Sequence, residues 1–89
     1  MHAYAQVYRT KERATDATGY EVTLWDDDGK IVEEYCAGAN TMDSGWPGVN
    51  ETSTVKKWAR NTAKEMFKHR FGRWPKRGEV VVVVKFLDC

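Results

Sequence analysis

Val55-Lys56-Lys57-Trp58-Ala59-Arg60-Asn61-Thr62-Ala63-Lys64-Glu65-Met66-Phe67-Lys68-His69-Arg70-Phe71-Gly72 is the stretch that decides the fold. Val55, Trp58, Ala59, Thr62, Ala63, Met66, Phe67 and Phe71 recur at three-and-four spacing, which gathers them into one stripe along a helix. Trp58 is the expected anchor of that stripe in the core. Thr52, Ser53 or Thr54 can cap the helix start, and Gly72 suits the left-handed position just past its end. Lys68, His69 and Arg70 fall in the last turn, where positive charge complements the helix dipole. Downstream, Arg73-Trp74-Pro75-Lys76-Arg77-Gly78 reads as a basic turn. It leads into Glu79-Val80-Val81-Val82-Val83-Val84-Lys85-Phe86-Leu87, a strand of unusual apolarity.

Upstream, residues 3–10 read as a strand, residues 11–19 as a polar loop closed by Gly19, and Tyr20 to Trp25 as a second strand. Tyr20, Val22 and Leu24 share one face of that strand, and Glu21, Thr23 and Trp25 the other. Asp27-Asp28-Gly29-Lys30 is a hairpin signal, since Asp-Gly supplies the positive φ angles of a tight turn. A third strand runs from Ile31 to about Cys36. Residues 37–52, with three glycines and Pro47, read as a long irregular loop. The order is therefore β-β-β-α-β, predicting a small α+β domain: an antiparallel sheet with one amphipathic helix packed on one face. Five consecutive valines put apolar side chains on both faces of the sheet, yet one helix covers one face only. Either the last strand is central and the long loop covers its second face, or another copy of the chain does. A homodimer through the open face or through a strand edge therefore stands beside a monomer. Tyr4, Tyr8 and Trp25 are candidates for the uncovered face.

Eighty-nine residues with 42% hydrophobic and 30% charged content fit a single domain, 1–89, and argue against disorder. Such a chain buries roughly 60–65% of its unfolded surface, so a thin stability margin is expected. No apolar run is long enough to span a membrane. The start Met1-His2-Ala3-Tyr4 lacks the basic segment and apolar run of a signal peptide, so a cytoplasmic protein is expected.

The net charge of +1 hides an asymmetry. Residues 1–54 carry four basic and ten acidic side chains, whereas residues 55–78 carry nine basic ones and only Glu65 as an acid. The field at a surface follows the local sum, so a dipole with one basic side is expected. Lys56, Arg60, Lys64 and Lys68 recur every four residues, about 6 Å apart along a helix axis. Lys57, Arg70, Arg73, Lys76 and Arg77 widen the patch, and Trp74 is placed to stack on a base. Such a face binds a polyanion by neutralising phosphates, with little sequence information. An acidic protein surface would fit it too, and a solvated helix face is the plain alternative.

Ser53 to Ala63 resembles, over about eleven residues, the second helix of a double-stranded-RNA-binding domain, where a Ser-Lys-Lys-x-Ala-Lys run after three antiparallel strands touches phosphates. The first helix of that family is missing here, and a strand follows where its domain ends. The β-β-β-α-β order is also similar to HicB-type antitoxins, without their loop motif. Both likenesses imply an architecture compatible with nucleic-acid work.

Asp26, Asp27 and Asp28 lack the final bidentate acid of a calcium loop, so turn chemistry is the expected role. Glu33 and Glu34 are consecutive on a strand and face opposite ways. His2 and His69 have no nucleophile placed beside them, and no phosphate-cradling glycine loop is present, so neither catalysis nor a cofactor is expected. Cys36 and Cys89 lack zinc spacing and are expected as free thiols, with a bridge open only if the third and fourth strands are neighbours. Trp46, beside Pro47 in the long loop, either tucks onto the core or reaches a partner. The expected function is non-catalytic binding of nucleic acid or another polyanion through the basic helix face and turn. The rival is a small protein-binding regulator or inhibitor, for example phage-type, docking through Trp46, Asp26, Asp27, Asp28 and the apolar sheet face.

Overall fold

The computed structural model describes residues 1–9, 16–38 and 50–86. Strands β1 (His2–Arg9), β2 (Asp16–Trp25) and β3 (Ile31–Gly38) are followed by the two-residue β4 (Asn50–Glu51), helix α1 (Thr52–Phe71) and β5 (Val80–Phe86). The sheet order is β3-β2-β1-β5, with β4 pairing the start of β2. This is the predicted α+β order with one helix packed on the sheet.

The sheet is mixed rather than wholly antiparallel. β1, β2 and β3 form an antiparallel meander, but β5 lies parallel to β1. The helix explains this. A strand–helix–strand crossover returns the chain in its original direction. Since β3 runs the same way as β1, β5 must do so as well. The crossover passes over β2 and β1 and delivers β5 to the free edge of β1, so the valine strand is an edge and not a central strand. β3 and β5 thus lie on opposite edges, and the strand neighbourhood that a Cys36–Cys89 bridge would require is not present. Cys36 is exposed and reduced.

Register sorts the faces. Ala3, Ala5 and Val7 of β1 pair with Val80, Val82 and Val84 of β5 and with Leu24, Val22 and Tyr20 of β2. These positions face α1, whose Val55, Ala59, Ala63 and Phe67 are fully buried against them. Alanines on both sides let the helix lie close to the sheet, and Phe67 is the largest fully buried side chain. Trp58 is only partly buried beside this core, so Phe67 takes the anchoring role expected of it. Tyr20 Oη and Thr62 Oγ1, 3.0 Å apart, tie the other flank of the helix to β2. Tyr4, Tyr8 and Trp25 share the open face, as their alternation suggests. There Trp25 stacks on His2 at 4.9 Å and meets Tyr4 edge-on at 6.3 Å.

Four local expectations are corrected. β2 begins at Asp16, because Ala17 is fully buried and pairs with both Arg9 and Asn50. β3 continues to Gly38, and strand returns at Asn50, which shortens the loop read as 37–52; residues 39–49, Trp46 among them, lie outside the described residues. The hairpin is a three-residue loop in which Gly29 alone has positive φ, at 77°. Asp26 Oδ1 accepts from the Asp28 and Lys30 N–H groups and so makes the turn that a second positive φ would otherwise make. Finally, Glu51 occupies the helix N-cap with no side-chain cap hydrogen bond, because the helix starts at Thr52 itself. The other end is as predicted: Gly72 is left-handed (φ 78°) and its N–H donates to Lys68 O at 2.8 Å.

Candidate polyanion-binding face

Lys56, Lys57, Arg60, Lys64, Lys68 and Arg70 are all exposed on α1. The row Lys56, Arg60, Lys64 lies one residue beyond the buried row Val55, Ala59, Ala63, so it flanks the stripe instead of opposing it. Since Thr62 occupies the flank facing β2, the basic row takes the flank facing β5. Arg60 and Lys64 there meet Pro75, Lys76, Arg77, Gly78 and Val80 around a shallow cleft of about 230 Å³. Four of the seven lining residues are cations, brought from two segments eleven or more residues apart.

The turn that closes this cleft is held by an acid. Glu79 accepts both Arg73 guanidinium nitrogens, at 2.8 and 2.9 Å, and also the Lys76 N–H at 2.6 Å. Together these donors depress the Glu79 carboxyl to about pKa 2, the Arg73 hydrogen bonds contributing most. The same bonds raise the Arg73 pKa further above its ordinary value. Arg73 also lies 5.1 Å over the Phe67 ring, which joins the turn to the helix core. Arg73 is therefore a strut of the turn, whereas Lys76 and Arg77 are exposed beside it. Trp74 is 55% exposed and carries Lys68 Nζ 4.6 Å from its ring centroid. His69 is exposed at the helix end.

Acidic residues are distributed differently from their order along the chain. Trp25 pairs with His2 and Ala3 with Val80, so the Asp26–Asp28 hairpin lies at the same end of the sheet as the basic turn. Asp27 holds the N-terminal ammonium and contributes to the field at Arg73. The basic surface is the helix layer, not one end of the molecule. Asp26 serves its own turn, and among the described residues no cluster of three His, Cys, Asp or Glu side chains is placed to hold a metal ion. On the open face, Tyr8 Oη donates to Glu21 Oε2 at 2.7 Å, and burial with that carboxylate pushes its pKa up to about 12. No helix among the described residues is long and apolar enough to cross a membrane.

Sequence reasoning found the cations but missed Glu79 and the cleft walls Pro75, Gly78 and Val80. Arg73 and Glu79 bracketing Pro75 and Gly78 was the available signal: opposite charges six residues apart across two turn formers. Compared with protein-family models, curated proteins and solved structures, the chain matches none.

Proposed function

We propose that this protein binds nucleic acid or a similar polyanion through the α1 flank and the turn after it, without performing chemistry. The carrying observation is the cleft where Arg60 and Lys64 converge with Lys76 and Arg77. Cations that merely solvate a helix need no second segment beside them; here a turn braced by Arg73–Glu79 presents two more. Phosphates lining up with the Lys56–Arg60–Lys64–Lys68 row would release counterions, and one phosphate would seat in the cleft. Trp74 offers a ring to an unpaired base at the end of that row.

Fluorescence anisotropy with labelled duplex and single-stranded DNA and RNA tests the reading. Micromolar or tighter binding at low salt is expected, with Arg60→Glu/Lys64→Glu weakening it by at least about tenfold. Absence of binding at low salt overturns the proposal, and so does an unchanged affinity in the folded double variant.

A further inference from the structure

We infer that the basic face selects a single strand of nucleic acid over a duplex, by stacking one unpaired base on Trp74; this rests on the polyanion reading above and narrows it. Trp74 is 55% exposed, more than any other large apolar side chain among the described residues. A tryptophan so placed leaves in water one of the largest apolar surfaces that a side chain carries. It stands outside the core cluster, so the fold does not depend on its ring.

Although exposed, Trp74 is held in place from several directions. It precedes Pro75, which confines its backbone to extended conformations. Its carbonyl oxygen accepts from Arg73 Nη1 at 3.2 Å, and the same guanidinium is clamped on the Glu79 carboxylate. At the ring, Lys68 Nζ lies 4.6 Å from the centroid, a cation–π contact that covers one side. The exposed surface therefore belongs to the other side of the indole. A ring already fixed, with one side open to water, takes a base at small ordering cost.

The neighbouring cations decide which form of nucleic acid can use that ring. Lys64 belongs to the wall of the cleft, and Lys68 follows it one turn later, about 6 Å along the helix axis. A strand that seats one phosphate in the cleft and the next on Lys68 has the nucleoside between them beside Trp74. In a single strand that base is free to swing out and stack. In a duplex it is paired and turned toward the complementary strand, so the ring gains nothing while the phosphates lie on the row. A blunt duplex end could cover the ring only by lifting its backbone off the row. Every base has a π-face, so the stack favours unpaired bases without reading their sequence.

Anisotropy titrations at a fixed salt concentration compare an oligothymidine, an abasic strand of the same length, and a blunt duplex of that length. The two single strands offer the same phosphates, so the ratio of their affinities isolates the base contact. Wild type should bind the oligothymidine at least about fivefold more tightly than the abasic strand, the low end of one base–aromatic stack. Trp74→Ala should bring that ratio close to unity, while its affinities for the abasic strand and the duplex stay within about twofold of wild type. Equal wild-type affinity for the two single strands overturns the inference and leaves the polyanion reading standing. An undiminished ratio in folded Trp74→Ala overturns it too, as does a duplex weakened as much as the oligothymidine. Absence of binding to any of the three removes the polyanion reading itself. Should Trp74→Ala fail to fold, Trp74→Leu, which keeps apolar bulk without a π-face, takes its place with the same expected ratio.

Discussion

Replacing Lys64 and Lys76 together by alanine removes one cation from each wall of the cleft, and its effect on salt dependence can be worked from the structure. The β5-side flank of α1 presents Lys56, Arg60, Lys64 and Lys68, and the turn adds Lys76 and Arg77, all exposed. Arg73 is left out because its guanidinium is held by Glu79. If each of the six neutralises one phosphate of a duplex, log affinity should fall against log salt with a slope of about −5. Between 50 and 200 mM salt this is a loss of roughly a thousandfold. The double variant leaves four contacts, a slope of about −3.5 and a loss of roughly a hundredfold over the same interval. The assay is anisotropy titration at four or more salt concentrations, with the fold of the variant checked by circular dichroism. A wild-type slope shallower than about −2 would refute the reasoning, since it would leave most of the row without a phosphate. An unchanged slope in the variant would show that the cleft takes no part.

Other consequences concern the scaffold. At Gly19 a Cβ would come within 2.7 Å of Ala37 O and 3.1 Å of Gly38 Cα, backbone on both counts, so Gly19→Ala should cost about 2 kcal/mol. Thermal unfolding should then fall by about 10 °C, and a variant melting with the wild type would mean that β2 and β3 do not cross so closely. Glu51→Asp supplies the missing cap at the helix start and should stabilise by about 1 kcal/mol, seen as a raised denaturation midpoint; a lowered midpoint would contradict the capping assignment. Glu79 binds its proton more weakly in the folded protein, at about 2 against an ordinary 4.5. Its stabilisation is therefore complete above pH 4.5 and disappears as pH falls toward 2, and Arg73→Gln should return the NMR-observed midpoint toward 4.5.

What could be read in advance followed from local rules. The three-and-four spacing from Val55 to Phe71 locates the helix because burying a stripe needs only that period. Alternation in β1 puts Tyr4 and Tyr8 opposite Ala3, Ala5 and Val7 for the same reason. The failures lie where pairing partners are distant. Asp16, Ala17 and Thr18 look like loop residues, yet they are strand because Arg9, Glu51 and Asn50 lie across from them. The position of β5 depended on which edge the crossover reached, and no residue within the strand records that. In the candidate face, exposed cations were legible because their spacing is helical. Their convergence with Lys76 and Arg77 depends on how sharply the chain turns after Gly72.

That sharp turn links stability to the proposed binding. The chain must leave α1 and enter β5 within eight residues, from Gly72 to Glu79. Gly72 supplies the left-handed exit, and Arg73 reaches over Phe67 to hold Glu79 at the entrance to β5. Lys76 and Arg77 sit between these two fixed ends, so their backbone is restrained before any anion arrives. A phosphate entering the cleft would meet cations already gathered, and the ordering cost on binding would be correspondingly small. Repulsion among Arg60, Lys64, Lys76 and Arg77 works against the free protein, and a bound anion relieves it. Arg73→Gln is therefore a more informative change than loss of an outlying lysine. It removes no exposed cation from the cleft, but it releases the turn that carries two of them. If the gathering matters, affinity should fall while the number of phosphate contacts, read from the salt slope, stays near that of the wild type. A fall in slope without a fall in low-salt affinity would mean instead that Arg73 itself contacts the polyanion and that Glu79 is not its partner in the complex.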